Sequence, residues 1–417
     1  MNIWIVNHYA IPPSMGGLVR HYYFSKYLQK EGHKVKIFTS SKIHNTNINI
    51  IDNKSLYKEI DEDGVLYTFV RNRDYKGNGI DRIINLLDFP FKTWKALKVF
   101  VKKEKPDIIY ASSPDLFTVL FALVFGKTRK IPVVVEVRDL WPESIVAYNN
   151  ISGRNVIIKI LYMLEKWIYI KADGIIFTMA GGKEYIEKRR WSKKVNLNKV
   201  FHVNNGVDVE EFDFQAEHYS IRDEELDNDS YFKVVYTGSI RHANGVDKIV
   251  EVAALLQRQG EDGIRFLIYG DGNEKQKLEN ICKERRLKNI FFKGKVEKKF
   301  IPYILSHSNL NYMHGINTEI MRYGCSPNKL FDYIASEKPI LSDLSPKYDL
   351  IKEYGLGKTL RNPMAEQVAD AIIKFSQMTE DDYNRIKDNC RKVKAIYDYK
   401  SLSKEVERIM KLNVKGE

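Results

Sequence analysis

The chain has 417 residues, 44% hydrophobic and 29% charged, with a formal charge of +13. That length predicts two domains with sizeable cores, and the composition excludes a disordered or fibrous chain. The charge calls for an anionic partner: a nucleotide, a nucleic acid or an acidic membrane surface. Three widely spaced cysteines, Cys282, Cys325 and Cys390, offer neither a disulfide framework nor a metal-ligand spacing, which fits a reducing cytoplasm. The N-terminus enters a strand without a signal-peptide pattern, and the longest apolar run, near residues 116–125, is too short to span a bilayer.

Residues 2–6 predict a first strand, and the loop 8–15 leads to Gly16-Gly17. Residues 19–28 read as a helix closed by Gly32, and 35–38 as a second strand. Glycines at such a turn let backbone N–H groups approach a phosphate, although the three-glycine dinucleotide fingerprint is absent. Residues 40–76 are polar and predict loops and short strands. Residues 89–105 predict an amphipathic helix opened by Pro90. Phe91, Trp94, Leu97, Phe100 and Val101 lie on one side; Lys92, Lys95, Lys98, Lys102 and Lys103 cover the other. The pattern suits a helix resting on an anionic membrane, or a core helix with a solvated lysine face. Residues 107–111 and 132–137 read as buried strands, the second running into Arg138-Asp139-Leu140-Trp141-Pro142-Glu143-Ser144. Ligands bind at the carboxyl ends of strands in α/β sheets, which makes Arg138 and Asp139 catalytic candidates. A structural Arg–Asp pair is the plain alternative. Residues 148–171 predict loops and an apolar helix, 174–178 a strand, and 200–203 the domain's last strand, before Asn204-Asn205-Gly206-Val207-Asp208.

Residues 212–230 are charged and read as linker. An apolar strand at 232–236 ends at Thr237-Gly238-Ser239-Ile240, and Val246, Ile249, Val250, Ala253 and Leu256 define the helix after it. Residues 264–269 form a strand before Gly270-Asp271-Gly272, whose glycines leave room for a base or phosphate. Strands are predicted at 289–294 and 309–313, with a helix between them. Ser326 reads as an N-cap with Pro327 at the first helical position. The N–H groups of Asn328, Lys329 and Leu330 would then be free, an anion site reinforced by the helix dipole and the Lys329 charge. Asp332 sits a turn further on, where its carboxylate can accept hydrogen bonds from a ribose. Thr379-x-x-Asp382 predicts a capped helix in a long polar tail.

The run SPNKLFDYIASEKPIL resembles the C-domain signature of bacterial family 4 glycosyltransferases, above all the branch that builds O-antigens and capsules. The ordered set Gly-Gly, R-D-L-W-P-E-S, N-G-V-D, T-G-S, G-D-G and S-P-N-K-L carries the resemblance over most of the chain. It implies an α/β fold of two Rossmann-like doubly wound domains facing a cleft, the GT-B architecture. The domains would be 1–208 on the acceptor side and 232–378 on the donor side, with a linker at 209–231 and a helical tail at 379–417 crossing back to the N-domain. It implies retaining transfer of a sugar, an N-acetylated amino sugar among the candidates, from a UDP-linked donor to a growing cell-surface polysaccharide or a lipid-linked or oligosaccharide acceptor. No metal, cofactor or nucleic acid would take part, and the place would be the inner face of the cytoplasmic membrane. The implied donor contacts are Gly16, Gly17, Asn205, Gly238, Ser239, Arg241, Gly270, Gly272, Ser326, Asn328, Lys329, Leu330 and Asp332, with Arg138 and Asp139 acting on the sugar or the acceptor. Four positions depart from the family pattern. Arg138 replaces a histidine, Ser239 and Asn244 replace an arginine and a lysine, and Gly324 replaces the first of two glutamates. Arg241 is the nearest substitute cation, and Glu319 is out of register for the missing acid. A nucleotide-sugar 2-epimerase of the same architecture and a non-catalytic partner subunit are the competing readings.

Overall fold

Apolar strands alternating with amphipathic helices build two parallel-sheet units. The computed structural model describes residues 1–414 apart from 45, 78 and 150. Unit 1 is Met1–Asn204 joined by the chain from Tyr399 onward, and unit 2 is Asn205–Asp398.

Unit 1 opens with β1 (Asn2–Asn7), α1 (Arg20–Lys30), β2 (Lys34–Ser40) and the hairpin β3 (Tyr57–Glu62) and β4 (Val65–Val70). There follow α2 (Ile80–Lys103), β5 (Ile108–Ser112), α3 (Leu116–Arg129), β6 (Val133–Val137), α4 (Glu143–Asn149), α5 (Val156–Lys171), β7 (Gly174–Phe177), α6 (Gly182–Lys188) and β8 (Val200–His202). The sheet order is β3-β4-β2-β1-β5-β6-β7-β8, parallel except for the β3–β4 pair. Helices cover both faces of the inner strands, so β5 and β6 are buried along their whole length and read as near-continuous apolar runs. α1 shares one face with the C-terminal helix from Tyr399, whose Val406, Ile409 and Met410 are fully buried in the core there. Right-handed crossovers put α2, α3 and α5 on the opposite face. There α3 packs against both α2 and α5.

Unit 2 contains α7 (Val209–His218), α8 (Glu224–Asp227), β9 (Phe232–Thr237), α9 (Asp247–Arg258), β10 (Ile264–Tyr269), α10 (Lys275–Glu284), β11 (Ile290–Gly294) and α11 (Ile301–Ser306). It continues through β12 (Leu310–Met313), α12 (Asn328–Ala335), β13 (Ile340–Ser342), α13 (Leu350–Tyr354), β14 (Gly357–Thr359), α14 (Ala365–Ser376) and α15 (Glu380–Ile396). The final helix, α16 (Tyr399–Val414), is the one that belongs to unit 1. The second sheet is parallel, in the order β11-β10-β9-β12-β13-β14. Strand addition reverses between β1 and β5 in one sheet and between β9 and β12 in the other. Such switch points are where open α/β sheets bind ligands.

Three expectations change. The expected linker at 209–231 holds two helices, with Phe212 and Leu226 buried in the core of unit 2. Asp208 and Asp223 cap them by accepting backbone N–H bonds, and helices this short show too few apolar residues for a period to be read. The expected tail at 379–417 is two elements with different partners. α15 buries Ile386, Cys390 and Val393 in unit 2, α16 joins unit 1, and residues 415–417 lie outside the described ones. Pro90 lies inside α2 instead of opening it, and Phe91, expected on the core side, is 58% exposed.

Candidate active site

At the switch point of the second sheet, β9 runs into Gly238 and β12 into His314. α12 starts beside them, but not as its sequence suggests. Pro327 occupies the N-cap position in an extended conformation, and no side chain caps the helix. Ser326 is not the cap. Its Oγ accepts the Asn205 backbone N–H at 2.9 Å, and its carbonyl accepts Asn205 Nδ2. Asn205 and Ser326 therefore tie down the approach to α12, which gives both a structural task. The Leu330 N–H donates to the Pro327 carbonyl at 3.1 Å and its side chain is buried, so it is no free donor. Asn328 is the first helical residue.

Lys329 has a different environment. Its Nζ is buried, lies 4.3 Å from the centre of the Tyr236 ring, and has no hydrogen-bond partner among the described residues. Burial pulls its pKa down from 10.5 to about 8, while the Asp343 carboxylate pulls upward. A Cβ on Gly238 would stand 3.1 Å from that Nζ, so glycine keeps the space beside the ammonium open. An unpartnered buried ammonium at the start of a helix suits a phosphate. One turn on, burial raises the pKa of Asp332, against the field of Lys298.

The other glycines have a different reason. A Cβ on Gly270 would sit 1.7 Å from the Gly238 carbonyl oxygen, and one on Gly272 2.1 Å from that of Ile240. These glycines let two backbone turns pack together, fixed by the Ile240 N–H donating to the Asp271 carbonyl at 2.9 Å. The sequence assigns them to a base or phosphate; what a Cβ here would meet is backbone. Ser239 and Asn244, which stand where relatives carry cations, bond to each other through Oγ and Oδ1 at 2.9 Å. The Arg241 side chain is exposed, without a hydrogen bond or ion pair among the described residues. Glu319 is also exposed and lies 3.6 Å from Arg322.

One cluster at this switch point escaped the sequence reading. His314 Nδ1 lies 2.6 Å from Asp343 Oδ2, and its Nε2 lies 2.5 Å from the Gly245 carbonyl. The Tyr312 hydroxyl donates to the same carboxylate at 3.0 Å, and Lys248 Nζ stands 3.6 Å away. A histidine directly after one apolar strand and an aspartate directly after the next were the available signals.

In unit 1, Gly16 and Gly17 lie between a short turn at Pro13–Met15 and α1, whose start has no side-chain cap. Nothing would lie within 4 Å of a Cβ on Gly17. Arg20 turns inward, with Nε donating to Glu136 at 2.7 Å and the terminal nitrogens to the Val203 and Asn204 carbonyls. Glu136 also accepts from Ser112 Oγ at 2.6 Å and meets His21 Nε2 at 3.0 Å. Burial pushes the Glu136 pKa up, but Arg20 and then His21 outweigh it and hold the carboxyl well below its usual range. A lone glutamate inside V-V-V-E-V was the sequence signal for this cluster.

Arg138 and Asp139 follow that strand. The Arg138 backbone N–H donates to Ser113 Oγ at 3.0 Å, while its Nε is buried with no partner among the described residues. Burial lowers the Arg138 pKa, and Glu136 opposes that. Asp139 accepts from Ser144 Oγ at 3.0 Å, and burial raises its pKa against that bond and the Leu140 N–H. The two side chains do not pair with each other among the described residues, so the plain reading as an Arg–Asp pair falls. At the sheet's own switch point His8 Nδ1 meets Asp115 Oδ2 at 2.8 Å, a pair not foreseen.

Two doubly wound parallel-sheet units define the GT-B architecture. The comparisons agree. The model for Glycosyltransferase Family 4 matches residues 15–211, and the model for Glycosyl transferases group 1 matches 219–393. Together the two models, both of glycosyltransferases, cover most of the chain, whose domain content is that of a GT-B glycosyltransferase. It is 36% identical to an alpha-D-kanosaminyltransferase of Streptomyces kanamyceticus over 78 residues, which is 18% of this chain and 20% of that enzyme. Its fold is similar to HepE of Anabaena in complex with UDP and glucose, at TM-score 0.65 and 12% identity, over 99% of each chain. It is also similar to a UDP-forming trehalose-phosphate synthase from Burkholderia xenovorans, at TM-score 0.71 and 12% identity, again over 99% of each. At that identity the likeness establishes the fold alone. No helix among the described residues is long and apolar enough to cross a membrane.

Proposed function

We propose that the chain moves a hexosyl group from a UDP-linked sugar, with retention at the anomeric carbon, to a lipid-linked or oligosaccharide acceptor of a cell-surface polysaccharide. The observation that carries the reading is the buried Lys329 ammonium at the start of α12, without a hydrogen-bond partner among the described residues. The bond from the anomeric carbon to the diphosphate oxygen breaks, and the diphosphate leaves with the electron pair. Lys329 stabilises that growing negative charge. The anomeric carbon then bonds to an acceptor oxygen, whose proton passes to the departing diphosphate oxygen. Arg138 and Asp139 are assigned to the reacting sugar and the acceptor hydroxyl. The reading calls for no metal, because the cation and the helix start meet the leaving-group charge. The UDP held by the Anabaena protein supports the donor class, and the kanosaminyltransferase supports an amino sugar. Exposed Lys95, Lys98, Lys102 and Lys103 support a peripheral position on an anionic membrane, at its inner face.

A thermal-shift series with nucleotide sugars tests the donor, because a ligand that binds the native state raises Tm. A UDP-sugar is expected to give the largest shift. With that donor, Asp139→Asn should lower turnover by about 100-fold or more, the scale of a lost acid or base, while leaving donor affinity within twofold. Turnover equal to wild type would remove Asp139 from the chemistry. Conversion of the donor to its epimer without any acceptor would replace the transferase reading with the epimerase one.

A further inference from the structure

α5 shows apolar side chains on two opposite sides. Ile158, Leu161, Tyr162, Glu165, Ile168 and Tyr169 are buried against the unit. Val156, Ile157, Ile160, Met163 and Trp167 form a second stripe at helical spacing, exposed by between 37% and 70%. A soluble helix needs only the first stripe. The first half of α2 repeats the arrangement. Asn85, Phe89, Pro90 and Thr93 face inward, while Ile80, Ile83, Ile84, Leu87 and Phe91 face solvent.

The two outward stripes belong to one side of unit 1, because α3 packs against both helices and its Phe121 ring lies 4.8 Å from that of Phe91. Exposed apolar side chains gathered on one side of a unit mark an interaction site. The charges around it name the partner. From residue 151 to the end of α5 the charged side chains that reach solvent are Arg154, Lys159, Lys166 and Lys171; the single acid there, Glu165, is fully buried. On α2 the outward stripe passes into Lys95, Lys98 and Lys102 at matching helical positions. Of the acids on α2, Asp88 is paired with Lys92, and Asp81 lies in the first turn beside the stripe.

We infer that this face inserts into an anionic lipid bilayer, with the outward side chains of α2 and α5 among the acyl chains and the lysines on the headgroups. The inference rests on the acceptor being lipid-linked and adds α5 as the second, inserting element. Lysines alone would only adsorb the protein, and salt would release it. Apolar insertion keeps part of the binding at high salt.

The test uses the full chain with phosphatidylglycerol vesicles. Flotation should persist in part at high salt, and the triple variant Ile157→Ser, Ile160→Ser, Met163→Ser should partition roughly tenfold less well or worse. Lipids brominated in the acyl chain should quench tryptophan emission in the wild type, and Trp167→Phe should remove most of that quenching. All three side chains of the triple variant are exposed, so the variant should keep its melting temperature and its thermal shift with donor. Full release by salt, unchanged flotation of the triple variant, or a stable dimer that the variant dissociates would each overturn the inference. Donor binding is read separately. Flotation without any donor shift would sink the transferase reading alone, and a donor shift without flotation would sink this one alone.

Discussion

Burying an ammonium without a partner costs free energy, which most lysines avoid by pairing or by reaching solvent with the charged end. Among the described residues Lys329 Nζ has no hydrogen-bond partner and only the face of the Tyr236 ring beside it. Its pKa of about 8 lies below the ordinary 10.5, so the unfolded chain binds this proton more tightly. The cost is complete below pH 8 and fades as pH rises toward 10.5, so this residue makes stability increase across that window. A bound diphosphate would restore the charge. Donor affinity should therefore weaken above pH 8, by up to about tenfold per unit. Lys329→Met should bind donor roughly 10- to 100-fold more weakly at pH 7, as expected when a charge-assisted bond is lost, and should bind independently of pH. Calorimetric titration from pH 7 to 9.5 measures both, and a flat wild-type profile would take the ammonium out of the phosphate site. This position was legible because it depends on a local feature, a lysine at a helix start. The packing reason for Gly270 was not legible, because what it touches, the Gly238 carbonyl, lies far away in sequence and no local pattern encodes it.

Within the elements, α5 shows how burial sets a pH response. Glu165 is fully buried, accepting from the Tyr169 hydroxyl at 2.7 Å and the Tyr185 hydroxyl at 2.8 Å. Burial pushes its pKa up to about 8, and the two tyrosines only partly oppose that. The folded state holds the proton more tightly than the unfolded chain. Its contribution to stability is therefore complete below pH 4.5 and is lost as pH rises toward 8. Glu165→Gln should flatten the dependence of Tm on pH between about 5 and 8 and raise Tm at the alkaline end. An unchanged slope would mean that Glu165 is ionised throughout. The parallel strands were legible because their runs are almost wholly apolar, with a single charge in V-V-V-E-V. The start of α2 was not, because apolar residues on two opposite sides blur the helical period.

Across the whole molecule, the family-type motifs gave the two-unit plan, but not where the chain divides. Contacts settle that, and they assign α15 and α16 to different units. α16 supplies Val406, Ile409 and Met410 to a core made otherwise by the first 204 residues. Ile409→Ala should cost unit 1 about 2–5 kcal/mol. All five tryptophans, Trp4, Trp94, Trp141, Trp167 and Trp191, belong to unit 1, so a denaturant melt followed by their emission reads this unit directly. An unshifted midpoint would mean that α16 only decorates the surface. The same helix has a consequence for biosynthesis. A ribosome works from the N-terminus, so the opening unit lacks part of its interior until residues 399–414 emerge, after every strand of unit 2 has been made. The domain begun first is completed last, and until then the apolar groove awaiting α16 is a surface for a chaperone to cover.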